Sequence, residues 1–165
     1  MRLRQLIVAA AAALAWAGAA SAETRGCESD LYITDQDPAG LNIRASPAGP
    51  ILTAVVARNR KVMVELTGGN GAWARIRVAH VEPDTHSDDA TVLWQGDGWV
   101  AFSKLGLAQT GPRTVIRRAA DDNAKVVLSF KNHDDTPAPS SEAMGCEGGW
   151  VKVRVKGVVG WTDEY

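Results

Sequence analysis

Neither sign of charge dominates this chain: 18 lysines and arginines face 19 aspartates and glutamates, with no basic block longer than two or three residues. That removes both the global field and the local patch through which a protein grips nucleic acid, so no nucleic-acid partner is expected. Helical periodicity is nearly missing after residue 22, which leaves an all-β reading. There is no nucleophile elbow, no phosphate-binding glycine loop and no paired metal-ligand helix motif. No catalytic residue, no cofactor and no enzymatic activity are therefore expected. Cysteine is scarce, and the only two, Cys27 and Cys146, allow a single pairing. Tyrosine and phenylalanine are down to two each, whereas tryptophan reaches six.

The one long apolar run, Leu6 to Ala20, is shorter than the ~20 residues needed to span a bilayer and is alanine-rich. Arg2 and Arg4 precede it and Ala20-Ser21-Ala22 follows, the pattern of an export signal cleaved before Glu23. Thr24-Arg25-Gly26 before Cys27 is not the small-apolar run of a lipoprotein signal. The expected product is a periplasmic or secreted protein with no membrane span after cleavage. It carries 16 basic and 19 acidic residues, a net charge of −3. Export exposes both cysteines to an oxidising compartment, where a Cys27–Cys146 disulfide is expected to tie the chain's start to its end. Closure of so long a loop is worth on the order of 4 to 5 kcal/mol.

What is present is a repeat. Gly40-Leu-Asn-Ile-Arg-Ala-Ser-Pro47 has a diverged echo 73 residues later, with Ile43-Arg44 matching Ile116-Arg117. Gly71-Ala72-Trp73 then corresponds to Gly148-Gly149-Trp150, and Gly98-Trp99 to Gly160-Trp161. Arginine to first tryptophan spans 29 residues in one copy and 33 in the other, the extra ones assigned to an irregular stretch over 132–145. First to second tryptophan spans 26 and 11, so copy one carries 15 additional residues, read as a surface excursion around 80–95 that includes Trp94. Val62, Val64 and Leu66 alternate with Met63 and Glu65; Ala74, Ile76 and Val78 alternate with Trp73, Arg75 and Arg77. Val151, Val153 and Val155 alternate in the same way with Trp150, Lys152, Arg154 and Lys156. This is the period of a half-buried strand. Thr67-Gly68-Gly69-Asn70-Gly71 reads as the hairpin turn between the first two strands.

Leu41-Asn42-Ile43-Arg44-Ala45-Ser46-Pro47, Gly149-Trp150-Val151-Lys152-Val153, Gly160-Trp161-Thr162 and Gly98-Trp99-Val100 together resemble the bacterial SH3-like family, SH3b, in tandem. The resemblance covers nearly all of residues 31–165. It implies two small SH3-like barrels after a signal peptide at 1–22: one over 23–108 with an insertion near 80–95, the other over 109–165. It also implies a binding or adaptor role toward peptidoglycan or its peptide stems, with an envelope protein as the alternative partner and a small hydrolase or inhibitor as the least favoured reading. Copy two departs from the pattern: Thr114-Val115 replace leucine-asparagine, and Ala119-Ala120 replace the turn-forming serine-proline, so its first turn is expected to differ.

The candidate ligand residues are Trp73, Arg75, Trp94, Trp150, Lys152 and Arg44. Trp73 and Trp150 fall on the cationic face of their strands, opposite the aliphatic core, where an indole ringed by donors makes a ligand platform. A structural role competes for each and is stronger for Trp99 and Trp161. Trp94 is expected to be the more exposed one. Arg44 and Arg117 can hold an anion or bind the carbonyls of the turn that follows; the local role is favoured. His80, Glu82, Asp84, His86, Asp88 and Asp89 cluster without the spacing of a standard metal site, as do His133-Asp134-Asp135, so no metal is assigned.

Overall fold

The computed structural model describes residues 26–58, 60–82, 90–107, 114–130 and 141–163. The expected signal peptide, and with it Trp16, lies outside them. Twelve strands follow in chain order: β1 Ser29–Ile33, β2 Leu41–Arg44, β3 Ile51–Val55, β4 Val62–Asn70, β5 Trp73–Val81, β6 Thr91–Ala101, β7 Leu105–Gly106, β8 Val115–Arg117, β9 Val126–Ser129, β10 Ser141–Glu147, β11 Trp150–Val155 and β12 Val158–Thr162. A single 3-10 turn, Phe102–Lys104, joins β6 to β7. The protein is all-β, with two sheets, one of them curled into a half-barrel. Among the described residues no helix is long and apolar enough to cross a membrane.

The larger sheet is ordered β3-β2-β6-β5-β4-β1-β7 and the smaller, in the reverse sense, β9-β8-β12-β11-β10. The smaller is thus the larger without β1 and β7, strand for strand. Registers repeat as well. In both, the ladder slips between isoleucine and arginine, at Ile43/Arg44 against β3 and at Ile116/Arg117 against β9. The central hairpins share a bulge, Thr67 between Leu66↔Ile76 and Gly68↔Arg75, and Met144 between Ala143↔Val153 and Gly145↔Lys152, to which the larger adds a second at Arg77, between Glu65↔Val78 and Leu66↔Ile76. The glycine before each second tryptophan has a steric cause. A Cβ on Gly98 would fall on the Ile43 side chain, and one on Gly160 on that of Ile116 and the Arg117 carbonyl.

Four sequence expectations shift. The stretch 67–71 is not a loop: β4 runs on through Asn70, and only Gly71-Ala72 turn, with Gly71 at φ 57°. Alternation in β5 holds through Ile76 and then breaks, because a further bulge beside β6 puts Ala79 rather than Val78 in the core. The additional residues of copy one lengthen the β5–β6 hairpin, to Val81 and from Thr91, leaving 83–89 outside the described residues. Likewise 141–145 belong to β10, while 131–140 lie outside.

One apolar core runs through both sheets, with Leu31, Val64, Ile76 and Phe102 of the larger continuous with Ile116, Ala143, Val151 and Val153 of the smaller. The sheets meet along β7, the 3-10 turn and β10. The Leu107 N–H donates to Ser141 Oγ at 2.8 Å in a buried contact, and the Gly149 N–H donates to the Gly26 carbonyl at 2.6 Å. Cys27 and Cys146 are disulfide-bonded, as expected, with Cα atoms 5.7 Å apart. Gly69 is small for this junction: a Cβ there would lie 2.9 Å from Cys146 Sγ and 3.1 Å from the Phe102 ring.

Candidate functional site

Each sheet carries a basic-tryptophan-basic row on the face away from the core. In the larger, Arg44 of β2, Trp99 of β6 and Arg75 of β5 stand side by side. In the smaller, Arg117 of β8, Trp161 of β12 and Lys152 of β11 do the same. The rows exist because period-two strands put every second residue outward, and the ladder registers align those positions. All four of Trp73, Trp99, Trp150 and Trp161 are half-buried. Trp99 and Trp161 sit at the centre of the rows, and their alternation with buried Val100 and Thr162 was the available signal for it.

The two rows differ in what their cations do. Arg44 donates to the Gly49 carbonyl at 2.7 Å and its guanidinium lies 5.8 Å from the centre of the Trp73 ring. Arg117 donates to the Ala124 carbonyl at 3.2 Å. The local role thus holds for both arginines. Arg75 makes a two-pronged ion pair with Asp97, both bonds 2.7 Å, so its charge is already matched. The Arg75 hydrogen bond holds the Asp97 carboxyl below its ordinary range. Lys152 instead places its ammonium 5.6 Å from the centre of the Trp161 ring.

Trp94 is not the exposed flag expected of it. It lies opposite Ala79 in the β5–β6 ladder, half-buried, its ring lying across Gly96 and Gly98 and packed against the core. The glycines of Trp94-Gln95-Gly96-Asp97-Gly98 leave the room it occupies. The structure therefore separates Trp94 from Arg44, Trp73 and Arg75, which it brings together, and from Trp150 and Lys152, which share β11.

Where the sheets join, beside Trp73, lies a cleft of about 260 Å³. Ala72, Trp73, Ala101, Phe102 and Ser103 line it from the larger sheet, and Glu142, Ala143 and Met144 from β10. Met144 reaches it because it is the bulged residue of its hairpin, the kind of irregularity that re-aims a side chain. Thr67, the equivalent residue of the larger sheet, sets its hydroxyl toward the Arg75 carbonyl at 3.5 Å. Glu142 accepts a hydrogen bond from Arg154 at 2.5 Å and is the one ionisable group in the lining. The lining is thus mostly apolar, with the Ser103 hydroxyl and one carboxylate, paired to Arg154, among it.

Away from the cleft three further groups are shifted, among them Arg77, raised by its hydrogen bond to Glu65. Burial, with Glu65 second, raises the Asp30 carboxyl; burial and a hydrogen bond to Glu82 push the Tyr32 hydroxyl up to about 12. His80 is half-buried on β5, opposite Met63 and Val92. Among the described residues no three histidine, cysteine or acidic side chains gather to hold a metal ion. Asp84, His86, Asp88, Asp89 and 133–135 lie outside them.

Compared with known proteins, the chain matches no family model, no curated protein and no solved structure.

Proposed function

We propose that this is a non-catalytic, exported binding protein of the bacterial cell envelope whose ligand is peptidoglycan, taken through its peptide stems. The observation carrying this reading is the cleft between the sheets, with Trp73, Phe102 and Met144 as apolar walls and Glu142 in its lining. At about 260 Å³ it is sized for one or two amino-acid side chains rather than a whole small molecule, as suits a peptide laid across the surface. Besides its acidic residue, a stem peptide carries the small methyl side chains of alanine and one amine-bearing residue. The aliphatic part suits the walls, and the amine would have to share the Glu142 carboxylate with Arg154. The Trp161–Lys152 face adds a flat platform for the attached glycan. Two sheets fixed in one body would add their weak contacts at high effective concentration.

The test is co-sedimentation of the oxidised protein with purified peptidoglycan, beside Trp73→Ala, Met144→Asp and Trp150→Ala variants shown to be folded by near-ultraviolet circular dichroism. The expected result is loss of sedimentation in the first two and partial loss in the third. Wild-type protein remaining in the supernatant would move the assignment to a protein partner in the envelope.

A further inference from the structure

Beside the cleft lies a second hollow, of about 310 Å³, lined by Ser141 and Glu142 of β10, Arg154 of β11, and Lys156 and Gly157 of the turn into β12. Glu142 belongs to both linings, so the two hollows adjoin along β10. The first is mostly apolar, whereas every side chain lining the second is polar or charged.

Local structure sets out the two cations. Val155 and Val158 pair directly, which leaves Lys156-Gly157 as a two-residue hairpin turn with φ of 50° and 78°. Such a turn ordinarily takes asparagine, aspartate or glycine first, and lysine stands there at a steric cost. The Lys156 ammonium lies 5.5 Å from the centre of the Phe130 ring, a contact that positions the charge without neutralising it. Among the described residues no carboxylate comes within ion-pair distance of Lys156. Arg154 is exposed and gives one guanidinium nitrogen to Glu142, keeping its other donors for a ligand. Ser141 accepts from the Leu107 N–H and keeps its own hydroxyl proton to donate.

Two cations and one carboxylate thus share this lining. The other described acids of the smaller sheet stand elsewhere on it: Glu147 opposite Trp150, Asp163 beyond Thr162, and Asp121 and Asp122 in the loop 119–124. Asp35, of the larger sheet, is matched by Lys104 at 3.2 Å. Lys131, Asp134 and Asp135, between Phe130 and Ser141, lie outside the described residues.

We propose that the second hollow takes a carboxylate of the ligand whose methyl and amine groups occupy the cleft. Glu142, with Arg154 and Lys156 beside it, then reads an amine and a carboxylate that are neighbours in the ligand. This rests on the peptide-stem reading of the cleft and adds the group recognised next to it. A stem offers two such carboxylates, one on either side of its amine-bearing residue: that of its acidic residue and that of its terminal alanine.

Tryptophan fluorescence titration of the purified, oxidised protein tests this. The probe is the N-acetylated pentapeptide L-Ala-γ-D-Glu-L-Lys-D-Ala-D-Ala, beside the same peptide amidated at its C-terminus and a third with isoglutamine for glutamate. The wild type should bind the unmodified peptide about three- to fivefold more tightly than one or both of the others, a preference that shrinks with added salt. Whichever amidation removes the preference identifies the carboxylate. Lys156→Asn, which suits the left-handed turn, should bind all three peptides alike, whereas Lys156→Arg should keep the preference. A wild type that binds the three equally, or a Lys156→Asn variant that keeps the preference, would overturn the inference and leave the cleft assignment standing. So would a preference seen only in D134N/D135N, because the chain's own acids would then be the ones that Lys156 meets. Failure to bind any of the peptides would overturn the stem reading and the inference with it.

Discussion

Removing the Cys27–Cys146 bridge by the paired substitution Cys27→Ala/Cys146→Ala should cost more stability than a substitution at any exposed position. The bridge joins residues 119 apart. In the chain-entropy treatment, cross-linking a loop of that length removes ~16 cal/mol/K from the unfolded ensemble, or ~5 kcal/mol at room temperature. Since a domain's whole stability is typically ~5–15 kcal/mol, this is a large share. Alanine rather than serine is the right replacement, because both half-cystines are buried, 1% and 7% exposed, and a hydroxyl there would need a partner. With a urea m-value of ~2 kcal/mol/M, the midpoint should fall by ~2.5 M, followed by tryptophan fluorescence. The Leu107–Ser141 and Gly149–Gly26 contacts remain, so the variant should still fold in the absence of urea. A midpoint displaced by less than about 0.5 M, equivalent to ~1 kcal/mol, would refute the argument that the bridge restricts the unfolded chain.

Other perturbations follow from single residues. Ser46-Pro47-Ala48-Gly49 closes through the Gly49 N–H to Ser46 carbonyl bond with Ala48 at φ 55°, the position of a type II turn that asks for glycine. Ala48→Gly should stabilise by ~0.5–1 kcal/mol, and Ala48→Val should destabilise, in thermal melts. Asp97→Asn should cost at most ~1 kcal/mol at neutral pH, since the Asp97 carboxylate is 63% exposed and its ion pair is screened. Its pKa is lowered in the fold, so that contribution is present above the ordinary value of 3.8 and vanishes as pH falls through the lower folded value. Asp30 has the opposite sign. It stands directly across from Glu65 and its pKa is raised, so stability declines as pH rises from 3.8 through the folded value. Asp30→Asn should therefore stabilise by a few tenths of a kcal/mol at neutral pH and have no effect at acid pH, compared by urea midpoints at both.

Strand existence was legible in the sequence wherever a ladder pairs residue for residue. Val62-Val64-Leu66 and Val151-Val153-Val155 bury the side that their alternation assigns. It stopped being legible at bulges. An extra residue reverses the inward and outward sides without any change in composition, so Val78, Ala79 and Met144 could not be placed by counting in twos. Gly68 and Gly69 were read as part of a turn because glycine punctuates loops, yet both lie within β4, and Gly69 answers to neighbours far along the chain, Phe102 and Cys146. The tryptophan-cation face was legible as two half-sites from period alone. The cleft was not, because its lining is gathered from three stretches distant in sequence, Ala72-Trp73, Ala101–Ser103 and Glu142–Met144.

The repeat itself says which residues hold the fold and which are free to choose a ligand. Arg44 reaches a carbonyl five residues ahead and Arg117 one seven ahead, and the loops between differ by the same two residues: 46–49 inside the Ala45–Pro50 closure, 119–124 inside Arg118–Lys125. The arginine follows the carbonyl and not the sequence distance, which is how a turn clamp behaves. Ile43 over Gly98 and Ile116 over Gly160 match in the same way. Those positions are accounted for by packing in both copies. The copies part at the bulged residue, where Thr67 turns back to its own sheet and Met144 enters the cleft, and at the outward cation, where Arg75 is held by Asp97 and Lys152 lies against Trp161. Selectivity should therefore follow Met144 and Lys152. Exchanging Thr67 and Met144 between the copies should abolish ligand binding while leaving the urea midpoint within about 0.5 M, because neither residue is part of the buried core.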